Sequence, residues 1–146
     1  MAKSLQDAVD LGRQEHFLVV VSTVRPDATV QSSVVNAGVL RHPTSREDVV
    51  GFVTYGATKL RNLRARPQLT VTFRSGWAWV TVEGRAQLVG PDDPDPAFDA
   101  ERLRLLLREV FVAAGGDHDD WDAYDRTMLE QRRTAVFVTP DRIYGV

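Results

Sequence analysis

A mainly β fold, an antiparallel barrel or sheet with accessory helices, is what the order of elements in this sequence predicts. Two observations carry that expectation. Several strand-length, β-branched runs follow one another as far as Val89 with only one short helical segment among them, an order that disfavours a regular βαβ parallel sheet. The clearest helical periodicity comes late, after Gly90. A closed barrel has the further merit of removing exposed strand edges.

The elements read in order as follows. Ser4 to about Gln14 is helical, with Ser4 and Asp7 spaced as a capping box and Leu5, Val9 and Leu11 forming a modest apolar face. Phe17 to Val24 is a strand, Arg25 to Ala28 a turn favoured by Pro26 and Asp27, and Thr29 to Leu40 a second strand, so the first two form a hairpin. Arg41 to Asp48 is a polar connection and Val49 to Tyr55 a third strand. Gly56 breaks it. Thr58 is placed to cap a short helix, Lys59 to about Arg66, which Pro67 ends. Leu69 to Arg74 is a fourth strand and Ser75-Gly76 a turn. Trp77 to Val89 is a fifth, in which Val80, Val82, Ala86 and Leu88 alternate with Thr81, Glu83, Arg85 and Gln87, giving one buried and one wetter face. Gly90 to Pro96 is a rigid acidic loop. Phe98 to Ala114 carries Leu103, Leu106, Leu107, Val110 and Phe111 at helical spacing. Gly115-Gly116 ends that helix, and Asp117 or Asp119 opens another with Trp121, Tyr124, Met128 and Leu129. Thr134 to Thr139 is a sixth strand, extended past Pro140 by Ile143 to Val146.

Composition narrows the function. The chain has 146 residues, which fits one domain over 1–146. Its formal net charge of -2 gives no global electrostatic case for nucleic acid. It has no cysteine, which excludes disulfides, thiolate metal sites and a cysteine nucleophile. Charges interrupt the N-terminal segment, unlike a signal peptide, and no apolar run approaches the roughly 20 residues that span a bilayer. The expected location is the cytoplasm.

No dinucleotide-binding glycine loop, Walker loop or serine elbow is present. His16, His42 and His118 have no ligand spacing with one another, so no metal site is expected. The aspartates around His118 read better as acidic residues complementing a helix dipole than as metal ligands. The most informative stretch runs from Thr54 to Pro67. There a strand ends, a Gly turn follows, and a helix begins with Thr58, Lys59 and Arg61. Free amides at a helix start attract phosphate, and a Lys and an Arg add charge to that cradle. The plainer alternative is a solvated basic face of Lys59, Arg61, Arg64 and Arg66. Trp77 and Trp79, two apart on one strand, either stack on a planar ring or anchor a core or interface. Gln31 and Ser33 share one strand face, which is either a ligand wall or the solvent side.

Taken together, Lys59-x-Arg61-Asn62-Leu63 with Pro67, followed by Gly76-Trp77-x-Trp79-Val80-x-Val82-Glu83-Gly84, resembles the pyridoxamine-phosphate-oxidase-like superfamily. The later His118 to Tyr124 segment, Arg132-Arg133 and Ile143-Tyr144-Gly145 resemble its deazaflavin (coenzyme F420)-dependent branch. The resemblance implies a six-stranded antiparallel split β-barrel with accessory helices, the FMN-binding split barrel. It also implies a homodimer with two cofactor sites at the subunit interface. Lys59 and Arg61 would hold the cofactor phosphate, with Ala57 and Thr58 offering backbone or hydroxyl contacts. Val53 and Thr54 would lie beside the ring, Gln31 and Ser33 near ring or tail, and Trp77 and Trp79 would close the partner's site. Some relatives carry an Arg just before this motif, where this chain has Gly56-Ala57.

The activity so implied is an F420-dependent reductase that passes a hydride to an unsaturated small molecule, with Tyr55 or solvent as proton donor. The deazaflavin's tail favours positive charge along the exit groove, from Arg61, Arg64 and Arg66. The alternatives are an oxidoreductase using flavin mononucleotide (FMN), or a non-catalytic protein that binds a flavin, a deazaflavin or a tetrapyrrole.

Overall fold

The structure, a computed structural model, describes residues 2–146. Six antiparallel strands close into a barrel in the order β1-β2-β3-β6-β5-β4. They are β1 (Leu18–Val24), β2 (Val30–Arg41), β3 (Asp48–Thr54), β4 (Gln68–Ser75), β5 (Ala78–Val89) and β6 (Thr134–Gly145). The helices are α1 (Leu5–Gln14), α2 (Ala57–Ala65), α3 (Ala100–Ala113) and α4 (Trp121–Glu130). The mainly β architecture with accessory helices is the one expected.

Local chemistry accounts for the helix starts, with some departures from expectation. The Ser4–Asp7 capping box on α1 is formed: the Asp7 amide donates to Ser4 Oγ at 3.2 Å and the Ser4 amide to Asp7 Oδ2 at 2.9 Å. Thr58 does not cap α2. The helix starts one turn edge earlier, with Gly56 as N-cap and no side-chain bond to its first amides. Asp99, not Phe98, marks the start of α3, accepting from the Arg102 amide. Asp120 rather than Asp117 or Asp119 caps α4, accepting from the Ala123 amide at 3.1 Å. Trp77 sits in the β4–β5 turn, outside the strand that begins at Ala78. β6 runs through Pro140, which lacks a ladder donor, and the β5 register shifts there between Glu83 and Gly84.

The two faces of the barrel wall are treated differently around its circumference. The interior is filled by Val19, Val21, Phe52, Val71, Phe73 and their neighbours. Outside β3 and β6 a second core forms, in which Val49, Ala135 and Phe137 meet Leu106, Leu107 and Val110 of α3. Both strands are therefore buried on two sides, which is why they read as near-continuous apolar runs. β1 and β2 instead leave their outer residues Leu18, Val20, Val30 and Val34 exposed.

The seat of α3 depends on Gly38. A Cβ at this β2 position would lie 2.0 Å from the Ala113 carbonyl oxygen, at the end of the helix. Gly38→Ala should push α3 outward and lower unfolding stability by about 2 kcal/mol, read from urea unfolding midpoints.

Candidate functional site

Where α3 and α4 join, they overhang the ends of β2 and β3 and enclose a cavity of about 820 Å³. Val34, Val35 and Asn36 of β2 form one wall, and Val53 to Gly56 with Lys59 form another. The α3–α4 connection through His118, together with Tyr124, Met128 and Arg133, closes the rest. Gly115 lets the chain turn off α3 at a positive φ of 85°, where a Cβ would also meet the Phe17 ring at 2.3 Å.

Lys59 is the most unusual residue of the site. It is a cation only 5% exposed. Its Nζ donates to one neutral group, Thr54 Oγ1 at 3.1 Å, and lies 5.9 Å from the centre of the Phe52 ring. Among the described residues no carboxylate pairs with it. Burial therefore pulls its pKa below the usual lysine range. With the uncapped amides at the α2 start beside it, the arrangement offers donors and positive charge without an acceptor.

Asn62 sets the tilt of α2. Its buried Nδ2 donates to Thr23 Oγ1 at 3.0 Å, and Thr23 in turn donates to Gln31 Oε1 at 2.8 Å. Arg66 adds a bond from Nε to the Val24 carbonyl at 2.8 Å. The Asn of the Lys59–Pro67 motif thus fixes the helix that carries the lysine.

The other residues singled out from sequence fall in several places. Val53, Thr54 and Tyr55 border the cavity with Lys59. Ala57, Thr58 and Arg61 are exposed on α2, outside the lining. Gln31 is engaged with Thr23, and Ser33 Oγ is buried without a hydrogen-bond partner among the described residues. Trp77, 97% exposed, and Trp79 line a different hollow of about 500 Å³ with Thr72 and Arg74. Trp79 also meets Tyr144 edge-on at 6.0 Å.

Sequence reading undervalued one side of the cavity. Arg133, named from sequence only in the Arg132-Arg133 pair of the resemblance, has its Cζ over the Tyr55 ring, 3.8 Å from the centre. Tyr124 is buried, donates its hydroxyl to the Leu107 carbonyl at 2.8 Å, and has its pKa pushed up to about 12 by desolvation. His118 accepts the Asp120 amide on Nδ1 at 3.0 Å, so the neutral ring carries its hydrogen on Nε2. The His118–Tyr124 motif was the available signal for the last two, and the Arg132-Arg133 pair of the same resemblance for Arg133.

α4 is held over the cavity by ions. Asp125 accepts from Arg104 Nη1 at 2.9 Å and from Arg108 Nε at 3.0 Å. The hydrogen bond from Arg108 chiefly holds the Asp125 carboxyl below the ordinary carboxylate range. Elsewhere the acidic loop is pinned at two points, Asp93 by Arg64 at 2.7 Å and Asp92 by Arg132 at 2.6 Å.

A closed antiparallel barrel with a helix-roofed cavity and a buried, unpaired lysine defines a ligand-binding barrel class. Comparison makes the class specific. The family model for Pyridoxamine 5'-phosphate oxidase matches residues 5–144, and the chain belongs to that family. Among solved structures, it is similar to the conserved hypothetical protein Rv2991 from Mycobacterium tuberculosis, at 18% identity and TM-score 0.68, over 99% of this chain and 85% of that one. An F420 reductase matches at 20% identity and TM-score 0.57, over 88% of this chain and 89% of that one. A heme binding protein from Mycobacterium smegmatis matches at 16% identity and TM-score 0.60, over all of this chain and 55% of that one. No helix among the described residues is long and apolar enough to cross a membrane.

The Asp125 clamp gives a test with a defined sign. A lowered native pKa stabilises the fold above the unfolded carboxylate pKa, and the contribution is lost as pH falls through the native value. Asp125→Asn should cost about 2 kcal/mol at neutral pH. The gap to the wild type should close as pH drops below about 3.9, as followed by denaturant unfolding across a pH series.

Proposed function

We propose that this chain is a coenzyme F420-dependent reductase, working as a homodimer, that passes a hydride to an unsaturated small molecule. Lys59 is the observation that carries the reading: a buried cation with one neutral partner fits an anionic phosphate brought by a ligand. The first amides of α2 supply further donors to the same group, with Thr58 and Arg61 at its outer edge. Val53 and Val34 offer apolar surface to a flat ring.

A reduced deazaflavin, when bound, supplies a hydride from its ring carbon to an electrophilic carbon. The protein's own part is to orient the reactants and exclude water. Tyr124 and Met128 roof the cavity against solvent. Tyr55, His16 and His118 are proton-bearing side chains of the wall open to the product, since the Tyr124 hydroxyl is committed to Leu107. Tyr55 stays the first choice of donor, on the same chain segment as Lys59.

Dimerisation is supported by the bare side of the barrel. Val34, Val20, Thr72, Thr81 and Tyr144 stand opposite one another in a row across β2, β1, β4, β5 and β6. Val34 is 62% exposed and also borders the cavity, so a second copy on this face would complete the wall. Trp79 of β5 and Trp77 in the turn before it are suited to closing the partner's site.

One observation favours FMN as a second reading. Of the arginines expected to line a deazaflavin tail, Arg64 is spent on Asp93 and Arg66 on Val24, leaving only Arg61 free. A terminal phosphate needs no more than Lys59 and the α2 start. Similarity to a heme binding protein keeps non-catalytic tetrapyrrole binding as an outcome to test.

Titration of the purified protein with oxidised F420 and with FMN, followed by fluorescence, should show at least a tenfold preference for F420, about 1.4 kcal/mol. FMN preference would move the protein to the flavin branch. Lys59→Met should weaken the preferred cofactor tenfold or more; unchanged affinity would remove the phosphate role. Val34→Arg should shift the protein from dimer to monomer in sedimentation velocity and weaken cofactor binding with it.

A further inference from the structure

Arg133 differs from the arginines that fix α4 and the acidic loop. Arg64, Arg104, Arg108 and Arg132 each grip an aspartate or glutamate. Arg133 is half-buried, borders the cavity, and has no carboxylate within ion-pair distance among the described residues. Its Nε donates to Gln131 Oε1, a neutral acceptor, at 2.8 Å. That leaves both terminal nitrogens without a protein partner. Its Cζ lies over the Tyr55 ring, 3.8 Å from the centre, so the guanidinium is positioned by that contact and by Gln131.

The electrostatic situation has the same sense. Burial works against the Arg133 charge, and no neighbouring anion answers it. The charged groups facing the cavity are Lys59, Arg133, Asp117 and, when protonated, His16 and His118. Asp117 makes no ion pair with either cation. A cofactor phosphate on Lys59 would neutralise one of the two cations and leave Arg133 unmatched. A half-buried guanidinium whose two terminal nitrogens are open can take a planar anion side-on, with two parallel hydrogen bonds.

We propose that Arg133, stacked on Tyr55, is a substrate-binding residue of this cavity, and that the molecule sharing the cavity with the cofactor carries a carboxylate. The proposal rests on the reductase reading for the identity of the second ligand as substrate. It places the carboxylate against Tyr55, which brings the adjacent unsaturated carbons near the same tyrosine hydroxyl. The fork would hold a carboxylate or a phosphate equally well; a phosphate is better served by Lys59 and the open amides of the α2 start, which leaves the singly charged, planar carboxylate for the lone Arg133 guanidinium.

The test uses matched pairs of an α,β-unsaturated acid and its primary amide, crotonate with crotonamide and trans-cinnamate with trans-cinnamamide. Affinities are measured by calorimetry on the F420-saturated and cofactor-free protein, with the Arg133 Nε–H resonance followed by NMR. The wild type should bind at least one acid tenfold more tightly than its amide and shift the Arg133 resonance. Arg133→Gln should bring that ratio close to one while changing F420 affinity less than threefold. Arg133→Lys, which keeps the charge without the fork or the stack, should recover part of the preference. Equal affinity for acid and amide in every pair, absence of acid binding at millimolar concentration, or a preference that survives Arg133→Gln would overturn the proposal. So would a tenfold loss of F420 affinity in Arg133→Gln, which would assign the residue to the cofactor. An Arg133-dependent preference in a protein that binds no F420 or FMN would instead refute the reductase reading and leave the carboxylate site standing.

Discussion

Closure of the barrel means that every strand has two neighbours, and the wall has an inside that must be filled and an outside that must be managed. The inside is filled by Phe52, Phe73 and a set of valines at near-zero exposure. The outside is covered by α3 along β3, β6 and the Gly38 end of β2. The cavity lies where that cover begins, at the β2–β3 edge, because α3 ends at Ala113 and the chain has to turn away before α4 can fold back. Position and size of the site are consequences of where the second layer stops.

Within that frame the chemistry comes from polar groups that the fold leaves incomplete. A domain of this size satisfies nearly all its buried polar atoms. Here the Thr23–Gln31–Asn62 network is complete and rigid, and it anchors α2 against the first hairpin. Lys59, three residues before Asn62 on the same helix, is left with one neutral bond. The contrast between a satisfied anchor and an unsatisfied cation on one short helix is what singles Lys59 out. Arg133 repeats the pattern beside Tyr55, bonded to Gln131 and open at its outer edge.

The roof is held in another way. Asp125 bridges two arginines of α3, and Phe111, Trp121 and Tyr124 pack edge to face beneath it. These contacts are directional and few, so α4 is coupled to α3 more than to the barrel. Ligand-covering elements are commonly drawn from the less stable parts of a fold, and an ion-clamped helix over a cavity is consistent with that division of labour.

The sequence by itself determined the strands, their order and most of the helix limits, because alternation, turn residues and caps are written within a few neighbouring positions. The Ser4–Asp7 box, the Gly115 stop and the Lys59 to Pro67 motif are of this kind. It also pointed to Lys59 through the resemblance. Only the tertiary structure decided that Thr58 leaves the α2 start uncapped, that the Trp77–Trp79 pair borders a hollow apart from the main cavity, and that Arg64 and Arg66 are consumed by Asp93 and Val24. Each of these depends on partners far along the chain, and charge composition cannot distinguish a paired arginine from a free one. Arg133 shows this most clearly: it follows an exposed glutamine and arginine in sequence, while the tyrosine beside it is brought there by the pairing of β3 with β6.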